Sequence, residues 1–182
     1  MQYPLREKIG HPDLLVGREQ EFRQFRKWLD NIPKRLSKSR AILARRKSGK
    51  TAFVQRLFNQ LWSNHGAVIP FYFDFAESNI WYPQLAVKYY RTFASQYISF
   101  LERDERLVDN PLSLEDIRQY GVTHSNPVLV ADVDALHHDR DIRFYNLMWK
   151  RACSAPHRVA SYFDQRFVVI LDEFQYITKF VY

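Results

Sequence analysis

The sequence predicts an α/β fold in which a parallel sheet is flanked by helices. Three short apolar runs, at residues 40–44, 68–75 and 167–171, have the composition and length of buried parallel strands. Stretches with apolar residues at helical spacing lie before and between these runs, and the first and third runs each lead into a charged motif. Such alternation is typical of open sheets that bind ligands at the carboxyl ends of their strands.

Length and composition favour a single globular domain spanning residues 1–182. Hydrophobic residues make up 46% of the chain and charged residues 26%, which separates it from disordered proteins. No apolar run approaches the roughly 20 residues of a membrane span, and residues 1–8 lack the apolar segment of a signal peptide. Cys153 is the only cysteine, which excludes an internal disulfide. We therefore expect a cytoplasmic protein that does not enter a membrane.

The N-terminal part of the chain predicts an irregular arm followed by two helices. Two prolines interrupt residues 1–16, so this arm is not expected to be regular. A helix with apolar residues at i, i+3 and i+7 is predicted over residues 17–30. The first apolar run is then predicted to form a strand, and a second amphipathic helix is predicted over residues 50–64, with its end at His65-Gly66.

The central part of the chain predicts a helical insert over residues 78–165, between the second and third strands. A structureless connection of this length is uncommon, and the insert carries several helix signals. Its helices are expected at residues 81–106, 113–120, 127–138 and 141–155. Ser113 and Asp116 have the spacing of a capping box. Gly121 is expected to end the second of these helices, and Pro156 to end or kink the fourth.

The most informative motif lies between the first strand and the second helix. It fits the P-loop form G-x-x-x-x-G-K-[ST], except that alanine takes the place of the first glycine. Its eight residues, all predicted to bind the phosphates of a nucleotide, are Ala44, Arg45, Arg46, Lys47, Ser48, Gly49, Lys50 and Thr51. Such a loop directs backbone N–H groups and a helix N-terminus at one anion. We expect Lys50 to reach the β- and γ-phosphates and the Thr51 hydroxyl to ligate Mg²⁺.

The second motif is the third apolar run together with the two acids that follow it. The run leads directly into Asp172 and Glu173. This is the Walker B pattern, in which a buried strand delivers carboxylates to the edge where ligands bind. Asp172 is predicted to hold Mg²⁺ together with Thr51, and Glu173 to orient or deprotonate the attacking water, while Lys50 neutralises phosphate charge. The predicted cofactor is Mg²⁺ bound with ATP.

Positive charge is concentrated around the first motif. The chain has a net charge of +7, yet no Asp or Glu occurs between Asn31 and Phe73, a stretch that holds nine of the 27 cations. An anion is the natural partner of such a region, and the nucleotide accounts for part of it. For residues 34–47 two interpretations stay open, namely a surface for a protein or nucleic-acid partner and a solvated basic turn.

The two motifs together resemble the P-loop ATPases of the additional-strand, catalytic-glutamate class, and most of all the archaeal-type ATPases related to AAA+ and STAND proteins. A third segment, Leu14-Leu15-Val16-Gly17-Arg18-Glu19, is similar to the Phe-Val-Gly-Arg-Glu sequence that precedes the first helix in that group. The resemblance covers most of residues 13–75 and 166–177. It implies a P-loop NTPase-type sheet, ATP hydrolysis coupled to a conformational change, and contacts from Val16, Gly17 and Arg18 to the adenine base.

Two features depart from the pattern of that group. Ala44 replaces the first glycine, which such families tolerate because this residue ends the strand. The chain also reaches its last residue nine positions after Glu173. The group's sensor residue, arginine finger and helical lid therefore have no counterpart, nor does the strand between the P-loop strand and the Walker B strand. We expect an incomplete sheet of three strands with unpaired edges. Whether the chain forms an oligomer stays open. We also hypothesise that the chain is a truncated form of a longer protein.

Two classes of function follow from these expectations. The first is an ATPase, which Glu173 favours. The second is a nucleotide-binding switch or scaffold with little hydrolysis, which the missing sensor and arginine finger favour. GTP is disfavoured because no Asn-Lys-x-Asp guanine-reading sequence occurs. A metal site at His137-His138 and a nucleophile at Cys153 are weak alternatives, since neither has a third member. The aromatic residues of the 81–106 helix are expected to be core.

Overall fold

The computed structural model describes residues 1–45, 47–75 and 79–180. Its elements are helix α1 (Glu19–Leu29), helix α2 (Lys50–Asn64), strand β1 (Val68–Asp74), helix α3 (Tyr82–Glu102), helix α4 (Arg106–Asp109), helix α5 (Leu114–Thr123), helix α6 (Pro127–Asp141), helix α7 (Tyr145–Phe163), strand β2 (Arg166–Asp172) and helix α8 (Ile177–Phe180). Short 3-10 turns precede α1 and α8. Across these ranges, no helix combines the length and the apolar character that crossing a membrane requires.

The sheet is formed by β1 and β2, which pair in parallel and make up all of it within the described residues. The register places Val68 opposite Arg166 and Asp74 opposite Asp172. Both strands are rich in β-branched and aromatic residues, which favour extended backbone. Because parallel strands end at the same edge, the two aspartates that close them meet there.

Helices cover both faces of this small sheet. On one face, Gln55 of α2 contacts Tyr72 of β1. On the other face, Phe71 packs edge-to-face against Tyr89 and Phe93 of α3. Helix α7 packs in turn against α3. The result is a mixed α/β structure whose buried side chains form one continuous core on both sides of the sheet.

The outer edge of β1 is closed by a side chain of α3. The Tyr72 N–H donates to Gln96 Oε1 at 2.8 Å, and Gln96 Nε2 donates to the Tyr72 carbonyl at 3.1 Å. The buried amide thus takes the place of a neighbouring strand at this residue. It satisfies backbone groups whose burial without a partner would destabilise the fold.

The predicted first strand is not formed. Residues 40–44 have irregular backbone and pair with neither β1 nor β2, and Leu43 is 93% exposed. A strand needs a neighbour on the sheet, and this segment pairs with no strand among the described residues. The prediction of three strands was therefore wrong for the first of them.

The predicted helical insert consists of α3 to α7, and residue 78 itself lies outside the described residues. Ser113 and Asp116 form the predicted capping box, each side chain bonding to the backbone N–H of the other residue. Gly121 does not end α5, which continues beyond it. It is instead a contact point with α6, since a Cβ at Gly121 would lie 2.9 Å from Val130 Cγ2.

Of the two outcomes predicted at Pro156, an end of the helix does not occur, because α7 continues to Phe163, and a kink stays a prediction. Proline removes one backbone hydrogen bond, but here its ring is buried and contributes to packing. Two ion pairs also fix α7 against α6. Arg158 Nε lies 2.8 Å from Asp132 Oδ1, and Arg151 Nε lies 2.9 Å from Asp139 Oδ2. Tertiary contacts therefore outweigh the local preference for a helix end.

The N-terminal arm is irregular, as predicted, but its first residues are bound to α2. Asn59 exchanges hydrogen bonds of 3.0 and 2.9 Å with the backbone of Leu5. The buried carboxylate of Glu7 accepts two hydrogen bonds, of 2.7 and 2.8 Å, from the Arg56 guanidinium. This anchoring carries the next residue of the arm to the carboxyl edge of the sheet.

Candidate functional site

A cleft of about 950 Å³ opens at the carboxyl edge of the sheet, beside the start of α2. It is lined by the N-terminal arm, the loop before α2, the end of β1 and the turn after β2. The predicted P-loop residues that line it are Ala44, Arg45, Lys47, Ser48, Gly49, Lys50 and Thr51. Arg46, the remaining residue of the motif, lies outside the described residues. The loop predicted from the sequence therefore faces the cleft.

The backbone of the loop has two left-handed residues, Lys47 at φ 63° and Gly49 at φ 79°. Positive φ is ordinary for glycine and uncommon for lysine, so the loop has a specific turn conformation at these two residues. Gly49 is also the N-cap of α2, whose first N–H groups lack intrahelical partners. The Ser48 hydroxyl is buried and has no hydrogen-bond partner among the described residues. Such a group is costly unless a ligand or water supplies a partner.

Lys50 lies between the two acids that follow the apolar run of β2. Its Nζ is 3.4 Å from Asp172 Oδ1 and 3.3 Å from Glu173 Oε1. Burial disfavours the ammonium charge, but the attraction of Asp172 and the hydrogen bond with Glu173 outweigh this and raise the pKa of Lys50. The lysine and both carboxylates predicted from the sequence therefore form one charged cluster.

Asp172 is buried, and both of its carboxylate oxygens are engaged. Oδ2 accepts a 3.2 Å hydrogen bond from the Tyr72 hydroxyl, and Oδ1 accepts a 3.0 Å hydrogen bond from the Glu173 N–H. Glu173 itself is left-handed at φ 53°, a conformation that costs a non-glycine residue about 1–3 kcal/mol. Its side chain faces Lys50 and accepts a hydrogen bond from Gln175. Backbone strain of this kind concentrates at functional sites.

Two charged residues of the cleft were missed by the sequence reasoning. Lys8 Nζ lies 2.6 Å from Asp74 Oδ2, and both residues line the cleft. Asp74 offered one signal, because it closes an apolar run as Asp172 does. Lys8 offered none, because its position depends on the arm, where the Lys8 N–H donates to Gln55 Oε1 at 2.8 Å. Two carboxylates, Asp74 and Glu173, and three lysines, Lys8, Lys47 and Lys50, therefore line the cleft.

The segment predicted to contact adenine lies beside the loop and does not line the cleft. Val16 is 77% exposed, and Gly17 is left-handed at φ 76°. The Arg18 guanidinium donates to the Ser48 carbonyl and lies over the Phe53 ring at 5.8 Å. Arg18 thus supports the loop from outside. A contact between these three residues and a base stays a prediction.

Part of the basic stretch at residues 34–47 is engaged within the protein. Arg35 Nη2 lies 3.3 Å from Asp164 Oδ1, an exposed ion pair. The Arg40 guanidinium lies over the Phe25 ring at 5.5 Å. These contacts favour a structural role for some of the cations, and a partner bound by this stretch stays a prediction.

The two weaker candidates, a metal site at His137-His138 and a nucleophile at Cys153, gain no support from their surroundings. Within the described ranges, no group of three His, Cys, Asp or Glu side chains could hold a metal ion, and His137 is bonded to Arg140. Cys153 has exposed surface, yet desolvation of its thiol raises the pKa to about 12, which disfavours the nucleophilic thiolate at neutral pH. The aromatic residues of α3 are buried in the core, as predicted: Tyr89, Tyr90, Phe93, Tyr97 and Phe100.

The oxygen donors of the cleft fit a Mg²⁺ ion that arrives with a nucleotide. Mg²⁺ prefers oxygen ligands and usually takes only one or two from the protein, with phosphates and water completing its shell. Thr51 offers a hydroxyl and Asp172 a carboxylate that already faces the cation of Lys50. Two protein ligands are too few for a metal site without a nucleotide.

Comparison with known proteins identifies no relative of this chain. No protein-family model matches it, and neither curated proteins nor solved structures give a match. The assignment of a function therefore depends on the geometry of the cleft.

Proposed function

We propose that the chain binds ATP together with Mg²⁺ and hydrolyses it, with hydrolysis coupled to a conformational change. The observation that carries this proposal is the charged cluster at the start of α2, in which Lys50 contacts Asp172 and Glu173 at 3.4 and 3.3 Å. A lysine from the start of a helix and two acids from a strand end are the groups that phosphoryl transfer requires at one place.

Each residue of the cluster has a distinct role in this proposal. Lys50 and the N–H groups at the start of α2 bind the phosphate oxygens and counter the charge that develops on them. Thr51 and Asp172 hold Mg²⁺, which supplies further charge neutralisation when it is bound with the nucleotide. Glu173 orients the attacking water and accepts its proton.

The ion pairs of Lys50 also indicate how binding starts. The ammonium is held by Asp172 and Glu173 at 3.4 and 3.3 Å. A triphosphate offers Lys50 a denser negative charge, so its entry moves the ammonium from the carboxylates to the phosphates. Asp172 is then free to hold Mg²⁺, and Glu173 to bind water. This exchange is the local step from which a wider conformational change would start.

Turnover of Mg-ATP by the chain and by its Glu173→Gln variant tests this proposal. The substitution keeps the size of the side chain and removes the base, so we expect hydrolysis to fall by about 100-fold while ATP binding persists. Glu115→Gln makes the same change at an exposed residue of α5 and serves as the matched control, with turnover equal to that of the parent chain. Phosphate release and nucleotide binding are measured on the same preparations.

Two results would contradict ATP hydrolysis by this cleft. One is equal turnover by the parent chain and Glu173→Gln. The other is binding of Mg-ATP with no turnover by the parent chain, which would favour the nucleotide-dependent switch or scaffold in its place. Residues 34–47 are the proposed contact with a protein or nucleic-acid partner in either case, and the cytoplasm is the proposed compartment.

A further inference from the structure

A buried hydroxyl group contacts the carboxylate that is proposed to hold Mg²⁺. Tyr72 lies in the middle of β1, two residues before the end of the strand, and is 5% exposed. Its hydroxyl donates to Asp172 Oδ2 at 3.2 Å across the two paired strands. Hydrogen bonds to a charged acceptor are about twice as strong as those between neutral groups. The contact therefore favours one orientation of the carboxylate.

The tyrosine can act only as the donor in this contact. Burial, reinforced by the negative charge of Asp172, raises the pKa of the Tyr72 hydroxyl far above its ordinary value. In this contact the hydroxyl donates its proton to Asp172 Oδ2.

Tyr72 is itself held at both ends. Its backbone N–H and carbonyl are bonded to the side-chain amide of Gln96. Its hydroxyl accepts a hydrogen bond from Gln55 Nε2 at 3.4 Å, and Gln55 Oε1 accepts the Lys8 N–H at 2.8 Å. Gln55 and Gln96 are both buried. The ring therefore has little freedom to move, and the network around it is made of buried groups that satisfy one another.

The two oxygens of the Asp172 carboxylate have different partners. Oδ2 is taken by Tyr72, while Oδ1 is the oxygen that faces Lys50 at 3.4 Å. Rotation of the carboxylate about its terminal bond would break the tyrosine contact. The carboxylate is therefore favoured in the orientation in which one oxygen meets Tyr72 and the other meets Lys50.

We propose that Tyr72 is a positioning residue which, supported by Gln55, holds Asp172 so that Oδ1 faces the Mg²⁺ ion bound with the nucleotide. The inference rests on the proposed function, because it assigns a residue that supports the proposed Mg²⁺ ligand of the same site. Groups behind a metal ligand commonly change metal affinity by about 10–100-fold when they are removed.

The experiment measures binding of a fluorescent ATP analogue at a series of Mg²⁺ concentrations, for the parent chain and for Tyr72→Phe. The phenylalanine ring fills the same space, so only the hydroxyl is lost. For Tyr72→Phe, we expect that the Mg²⁺ concentration giving half of the maximal increase in binding is about tenfold higher than for the parent chain. Binding of the analogue without Mg²⁺ should stay within about twofold of the parent, because Lys50 and the loop are unchanged.

Two further variants separate positioning from stability. Tyr90→Phe also removes a buried hydroxyl, one that is bonded to the Leu129 carbonyl at 3.4 Å and does not touch Asp172. It should leave the Mg²⁺ dependence unchanged. Gln55→Leu keeps the tyrosine and removes its support, so the Mg²⁺ requirement should rise, but by less than in Tyr72→Phe.

The outcomes distinguish this inference from the proposed function. If the parent chain binds the analogue in a Mg²⁺-dependent way and Tyr72→Phe has the same dependence, the positioning role is refuted and the nucleotide site stands. Equal weakening with and without Mg²⁺ would also refute it, since it would show a general structural role. If the parent chain shows no Mg²⁺-dependent binding, the proposed function fails, and the positioning role fails with it.

Discussion

At the scale of single residues, the carboxylate of Glu7 is a buried charge held by several hydrogen bonds. Its side chain is 1% exposed, and it accepts hydrogen bonds from Arg56 and from Asn59 Nδ2, the latter at 3.1 Å. Buried ion pairs contribute little when intact but are costly to break, because the remaining charge stays in a poorly solvated place. Glu7 therefore helps to hold the arm that carries Lys8 to the cleft, together with the hydrogen bonds of Leu5 to Asn59 and of Lys8 to Gln55.

We expect Glu7→Gln to lower the free energy of unfolding by about 2–3 kcal/mol, since it removes the charge but keeps the shape of the side chain. Urea unfolding measures this as a lower midpoint with an unchanged slope. Asp134→Asn is the control, because Asp134 pairs with Arg118 on the surface, and its midpoint should not move measurably. Equal midpoints for Glu7→Gln and the parent would contradict a structural role for the pair.

The residues of the cleft differ in how far the sequence predicts them. Lys50, Asp172 and Glu173 belong to motifs in which neighbouring residues identify the chemistry, and the fold brings the Lys50 ammonium to 3.4 Å from Asp172 and 3.3 Å from Glu173. Lys8 and Tyr72 belong to no such motif. Their contacts join parts of the chain that are 66 and 100 positions apart, and spacing along the sequence carries no information about such pairs.

At the scale of secondary structure, the contact between α5 and α6 depends on the absence of a side chain. A Cβ at Gly121 would lie 2.9 Å from Val130 Cγ2 and 3.1 Å from the Asn126 carbonyl. Alanine is a better helix former than glycine by about 1 kcal/mol, but a buried clash of this kind costs about 1–3 kcal/mol. Packing therefore outweighs helix propensity at this position.

We expect Gly121→Ala to lower the free energy of unfolding by about 1–2 kcal/mol. Gly66→Ala is the matched control, because a Cβ there has nothing within 4 Å and Gly66 does not have positive φ. The control should be neutral or stabilising by up to about 1 kcal/mol. Thermal unfolding of both variants measures the difference, and a Gly121→Ala variant as stable as the parent would contradict the close contact.

The elements that the sequence predicts well are those with a local cause. The capping box at Ser113 is an example, because both of its partners lie within one helical turn. The elements that it predicts poorly depend on distant packing. Gly121 was expected to end a helix and instead makes a tertiary contact, while Pro156 lies within α7 because packing holds the helix together. Residues 40–44 lack a strand beside them and do not form one.

At the scale of the whole molecule, packing is uneven around the cleft. Helix α1 has no buried residue, whereas α3 buries most of its length against β1 and α7. The loop before α2 follows an irregular segment and not a strand, so it is held by Arg18 from outside and by the ion pairs of Lys50 from within. An anion in the cleft would add contacts where the fold has fewest, so binding and stability should be linked.

Calorimetric titration of Mg-ATP into the parent chain and into the Lys50→Ala variant tests the central claim most directly. The account predicts saturable binding of one nucleotide by the parent chain, and affinity about 10–100-fold weaker in Lys50→Ala, because the variant loses a charge-assisted contact to phosphate. Lys150→Ala, which removes an exposed lysine of α7, should bind as the parent does. No binding by the parent chain, or equal affinity in Lys50→Ala, would contradict the assignment of this cleft to ATP.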